Sequence, residues 1–150
     1  MKNEGLNLSY TLNLPARASS FDSFVEFVRQ TGEQLNLEAS LVLKLGLVAE
    51  ELLINIIHYA YAEAKEPGNI EMRCGMADPE LFCMVIRDNG TPFNPLLSKD
   101  PDLMADIDDR PIGGLGIFLV REIADKLDYC REKETNTVVF CKNIISGNGK

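Results

Sequence analysis

Glu51, Asn55 and His58 stand four and then three residues apart inside the apolar run EELLINIIHYAY, Glu50 to Tyr61. In a helix those spacings stack side chains one turn above the next. A carboxylate one turn below an amide carbonyl offers a proton acceptor beside a hard oxygen ligand suited to Mg²⁺. Lys44 falls on the same side, so the four polar groups lie within about 60° of one another. Leu45, Leu52, Leu53, Ile56 and Ile57 take the remaining faces. The solvated side of an ordinary amphipathic helix has the same pattern. Asn55 weighs toward a lined cavity, because lysine or glutamate serves a solvated helix face better by propensity.

Two further stretches carry chemistry. RDNGTPFNP, Arg87 to Pro95, follows an apolar strand. Asn-Gly steps commonly turn a hairpin, but a hairpin resumes with an alternating strand. Here Pro92 and Pro95 follow, and neither donates to a ladder, so the chain leaves the sheet for a shaped loop. Asp88 at the strand end, beside Gly90, is placed to accept hydrogen bonds from a ligand amine while the glycine admits a flat ring. PIGGLGIFLVREIAD, Pro111 to Asp125, opens an amphipathic helix with Gly113, Gly114 and Gly116 around Leu115. It lacks the third glycine of the dinucleotide fingerprint and the Gly-Lys-Ser/Thr of a P-loop. Bare N–H groups at a helix start still make an anion site suited to polyphosphate.

The surrounding elements must position these groups. Leu6, Leu8, Tyr10, Leu12 and Leu14 alternate as a strand that Pro15 ends. From Ser19 or Ser20, Phe21, Phe24, Val25, Phe27 and Val28 follow helical spacing until Gly32. Leu37 to Ala62 reads as one long, central helix. Asn69–Met76 and Leu81–Arg87 read as strands joined at Asp78 and Pro79. Leu96 to Ile112 is acidic and proline-punctuated, hence a long loop. Gly114 to Leu127 reads as helix, and Tyr129–Glu134 with Thr137–Ile145 as a closing hairpin turning at Thr135 and Asn136. The order predicts an α+β, two-layer α/β sandwich, with helices on one face of a mixed, mainly antiparallel sheet.

A chain of 150 residues with 45% hydrophobic content suits one globular domain, 1–150. A net charge of -8 argues against general affinity for nucleic acid or anionic membrane. No membrane span or signal peptide is legible, so a cytoplasmic location is expected. Cys74, Cys83, Cys130 and Cys141 lack zinc-site clustering. The predicted turn sets Cys130 opposite Cys141, and a reducing cytosol would keep all four as core thiols.

Metal ligand, base and phosphate elements, in this order, resemble the GHKL ATPase superfamily. EELLINIIHYAY looks like its N box, RDNGTPFNP its first glycine box and GGLGIFLVREIAD its second. The run NIIHYAY, the DNGTPFNP loop and the compact length are most similar to the anti-sigma regulatory serine/threonine kinase branch. The resemblance implies a histidine-kinase-like ATPase fold binding ATP and Mg²⁺. By it, Asn55 holds Mg²⁺, Glu51 is the general base, and Asp88 with Gly90 meets the adenine. Gly113, Gly114, Leu115 and Gly116 meet the phosphates, with His58 as a nearby cation. Arg110, placed just before those glycines, is expected from its position to swing inward to the γ-phosphate. Leu96 to Ile112 becomes the ATP lid. Pro92 departs from the pattern, standing where much of the superfamily has a second glycine. Glu50 competes for the base role but points about 100° away from Glu51. The implied function is phosphorylation of an anti-sigma-antagonist protein, coupled to sequestering a sigma factor, with a homodimer possible. An ATP-dependent partner switch and a histidine-kinase-type catalytic domain are the alternatives.

Overall fold

The computed structural model describes residues 8–61, 68–97 and 114–145, and side chains within these except at 114 and 115. Five strands and three helices run in the order β1 (Tyr10–Pro15), α1 (Phe21–Gln34), α2 (Ala39–Asn55), β2 (Asn69–Asp78), β3 (Leu81–Asp88), α3 (Gly114–Ile123), β4 (Lys126–Glu132) and β5 (Thr135–Asn143). The sheet order is β1-β2-β3-β5-β4. Every pairing among these strands is antiparallel, so the parallel component allowed by the term mixed is not seen.

Alternation along the strands explains the two layers. Ile70, Met72 and Cys74 of β2, Phe82, Met84 and Ile86 of β3, and Val138 and Phe140 of β5 form one core with Leu45, Val48, Leu52, Leu53 and Ile56 of α2. The intervening residues Cys83, Val85, Val139 and Cys141 make a second apolar cluster on the opposite side of the sheet, joined by Leu8. Leu8 therefore does not follow the alternation expected from Leu12 and Leu14. It lies beyond β1 and crosses Gly75, whose missing side chain leaves room for the Leu8 backbone.

Several boundaries move. Gly32 does not break α1, which runs on to Gln34, because the glycine is where Val42 of α2 packs tightly against α1. The α-helical part of α2 ends at Asn55 and gives way to a π turn over Ile56–Ala60. The last helix stops at Ile123, and Leu127 belongs to β4. The closing hairpin turns at Lys133 and Glu134, two residues before the expected place, with Lys133 at φ 57. Cys130 consequently faces Thr137 rather than Cys141. Cys141 lies directly opposite Cys83 on β3, Cα atoms 4.1 Å apart, and the two form a disulfide. Four free thiols were expected, and only Cys74 and Cys130 are free. Strand register, a non-local property, brings that pair together.

Candidate functional site

The end of β3 carries the first half of the site. Asp88 and Asn136 are direct partners in the β3–β5 register, and both project toward the helix layer with Ile86 and Val138. Asp88 is 4% exposed and Asn136 1%. Asp88 Oδ1 accepts hydrogen bonds from the Gly90 N–H at 2.9 Å and from Asn136 Nδ2 at 3.0 Å. Burial pushes the Asp88 carboxyl above its ordinary range, against the donors of Asn136, Gly90 and Tyr61 that favour the charged form. Asn136 is saturated: its amide also donates to the Thr91 carbonyl at 2.9 Å. Its Oδ1 accepts from the Tyr129 hydroxyl at 2.6 Å and from Arg131 at 3.1 Å. Arg131 in turn donates to the Gly90 carbonyl at 2.8 Å.

The loop after Asp88 is tied to the end of α2. The last carbonyls of a helix lack intrahelical partners. Here the Ala60 carbonyl accepts both the Thr91 N–H at 3.0 Å and its hydroxyl at 3.1 Å. Tyr59 stacks on Phe93 with ring centroids 5.1 Å apart. The Tyr61 hydroxyl donates to Asn89 Oδ1 at 2.9 Å, and burial pushes that phenol up to about 12. A side chain on Gly90 would come within 2.7 Å of the Ala60 carbonyl oxygen. Gly90 is thus needed for the loop to cross the helix end, a packing role that the sequence reading did not anticipate.

The second half lies on α2. Asn55 is fully buried, and its Nδ2 donates to the Glu51 carbonyl at 2.8 Å. Its Oδ1 has no hydrogen-bond partner. A buried amide oxygen left unpaired costs free energy, and such a group calls for a ligand. A single neutral oxygen donor suits Mg²⁺, which keeps several waters and takes few protein ligands, so Asn55 fits the metal that the resemblance implies. Glu51, half-buried one turn earlier, lies against Gly116 near the start of α3. Desolvation, and then the neighbouring Glu50, raise its carboxyl above the ordinary range, which moves it toward the range useful to a base at neutral pH.

The polar stripe does not stay together. Lys44 is exposed and borders a cavity of about 500 Å³ with Glu122, Ile123 and Lys142. His58 is exposed, meets Tyr59 edge-on, and lines an apolar cleft of about 330 Å³ with Ala18, Phe21, Ile54 and Ile57. Among the described residues no side-chain hydrogen bond or ion pair joins His58 to Glu51 or Asn55. The stripe assumed α-helical phase throughout, whereas residues in a π turn advance by less than the α-helical step. Gly114 and Leu115 lie in the first turn of α3. Arg110, Gly113 and nearly all of the predicted lid fall outside the described residues. Asn136, Tyr61 and Arg131 were missed by sequence reasoning. Asn136 was read, with Thr135, as the turn of the closing hairpin.

Comparison with known proteins agrees with the fold. The family of histidine kinase-like ATPase domains matches residues 14–142. The serine/threonine-protein kinase BtrW of Bordetella bronchiseptica is 28% identical over 126 residues, covering 84% of this chain and 87% of that protein. The structure of the RsbU and RsbW domains of Rv1364c from Mycobacterium tuberculosis superposes with a TM-score of 0.63 at 11% identity. It covers 91% of this chain, which spans only 33% of that one. The histidine kinase domain of a blue-light activated histidine kinase from Erythrobacter litoralis gives a TM-score of 0.50 at 14% identity, with 87% of this chain and 62% of the other covered. At those identities the two structures speak for the fold alone, and the sequence match over most of the chain decides the family. The family model spans most of the chain, residues 14–142, over an α+β sandwich, and this chain belongs to the histidine kinase-like ATPase domain family.

Proposed function

We propose that this protein is an ATP-dependent serine/threonine protein kinase that phosphorylates an antagonist protein and, through it, controls the sequestration of a sigma factor. The observation that carries the reading is the buried Asn55 with its unpaired Oδ1, one turn after Glu51. That pair supplies a metal ligand beside a proton acceptor. In this reading Asp88 accepts hydrogen bonds from the adenine amino group, and Asn136 holds the carboxylate in place. The bare N–H groups at the start of α3 bind phosphate, with Arg110 and Gly113 as further contacts. Glu51 accepts the proton of the attacking serine or threonine hydroxyl. Asn55 would hold Mg²⁺, which when bound neutralises charge on the phosphates.

The similarity to a protein named as a serine/threonine kinase supports phosphoryl transfer to a hydroxyl. The likeness to a structure with an RsbW domain supports the fold. A homodimer and a cytoplasmic setting belong to the same proposal. Among the described residues no helix is long and apolar enough to cross a membrane. Incubating the purified protein with labelled Mg-ATP and the antagonist candidates of its own genome tests the reading. Mg²⁺-dependent appearance of phosphoserine or phosphothreonine is expected. ATP binding without transfer to any of them would instead favour a partner switch driven by nucleotide alone.

A further inference from the structure

The glycines of this chain differ in what fills the space a side chain would take. A methyl group on Gly46 of α2 would meet nothing within 4 Å. On Gly90 it would run into the backbone of Ala60. On Gly116 it would overlap the Glu51 side chain at Oε1, Cδ and Cγ together. Gly116 is the third residue of α3 and has no positive φ. At a helical backbone position alanine is the better helix former, so conformation does not ask for glycine there. The buried Gly116 leaves a niche, and the half-buried Glu51 carboxylate fills it.

We propose that Gly116 is a positioning residue for Glu51: its missing side chain lets the first turn of α3 seat the carboxylate that α2 carries one turn before Asn55. The niche fixes the rotamer of a long, flexible side chain whose entropy would otherwise spread it over several orientations. The glycine-opened helix therefore has a second task besides admitting phosphate, namely to aim the proton acceptor. This inference rests on Glu51 being that acceptor.

Gly116→Ala should push the flexible Glu51 side chain away from Cγ outward and leave the helix intact. The test compares Gly116→Ala, Glu51→Gln and the double variant for Mg-ATP affinity and kcat, with Gly46→Ala as the control in an open position. A carbon-13 pH titration of the Glu51 carboxyl is run on the wild type and on Gly116→Ala. At saturating Mg-ATP, Gly116→Ala is expected to lower kcat by about 10²- to 10⁴-fold, as loss of a general base does. The double variant should be no slower than the slower single, because the two residues act as a unit. The Glu51 titration should move back toward the ordinary carboxylate range as the group swings to solvent. An unchanged kcat at saturating Mg-ATP, multiplying losses in the double variant, or an unchanged Glu51 titration would each overturn the proposal. If the wild type transfers no phosphate to any protein, the kinase reading fails separately, and the titration still decides the contact.

Discussion

The Asp88 end and the Asn55 end of the site are built on opposite plans. At the first, Asp88 Oδ1 and both polar atoms of Asn136 are hydrogen-bonded within the chain, and the loop is pinned to Ala60 by Thr91. At the second, Asn55 Oδ1 is buried without a partner, and Glu51 rests in a niche left by a glycine. The recognition end is thus preorganised by a sheet register that cannot slip without turning every side chain over. The chemical end holds groups in states that cost stability, as functional sites commonly do. Specific binding benefits from prepaired donors and acceptors, whereas metal binding and proton transfer need lone pairs that nothing else has taken.

The contrast can be broken most strongly at Glu51. Replacing it by Gln should lower phosphoryl transfer by about 10²- to 10⁴-fold while sparing nucleotide affinity. A larger loss with Glu50→Gln in the same transfer assay would move the base to the neighbouring carboxylate. Next in size is Asp88→Ala, which removes charge-assisted hydrogen bonding worth about 1.5 to 3 kcal/mol, hence about ten- to 150-fold in ATP affinity by calorimetry. Asn136→Ala should cost about 1 to 3 kcal/mol of unfolding free energy in urea, because it strands the partners on Asp88, Thr91 and Tyr129. Asn55→Ala has no such network to strand, so its unfolding free energy should fall by less than that of Asn136→Ala. Its signature is instead a loss of Mg²⁺ dependence in ATP binding. Equal destabilisation by the two asparagine variants would erase the distinction between a paired and an unpaired half.

The smallest effect expected is a pH dependence with a sign opposite to that of a salt-bridged carboxylate. The folded pKa values of Glu51 and Asp88 are both raised, chiefly by burial. Between the ordinary carboxylate range and these raised values the folded state binds more protons than the unfolded one, so stability falls as pH rises through that window. Glu51→Gln should therefore raise the Tm at neutral pH and change it less in acid below the ordinary range. A Tm gain that is the same at both pH values would show that Glu51 is not held in an unfavourable charged state.

The element types were largely legible before the structure. Period-two and period-3.6 patterns depend on neighbours along the chain, and so do the turn at Asp78 and the break from sheet to loop at Pro92. Element ends were less so. Asn136 shows why: by composition Thr135 and Asn136 make a good turn, yet Lys133 takes the positive φ and Asn136 enters β5 opposite Asp88. A local preference yielded to the register that the rest of the sheet imposes. The same two-residue shift undid the expected approach of Cys130 to Cys141.

By itself the sequence determined the sandwich, the long central helix and the three boxes carrying Glu51, Asn55, Asp88 and the α3 glycines, because each is written in residues close together in the chain. The tertiary structure decided which of those residues meet. It set Asn136 beside Asp88, paired Cys83 with Cys141, and turned His58 onto another cleft after the π turn. It also gave Gly90 to Ala60 and Gly116 to Glu51. These outcomes hang on strand register and helix phase, which are settled by contacts between segments far apart in sequence, and no local pattern encodes them.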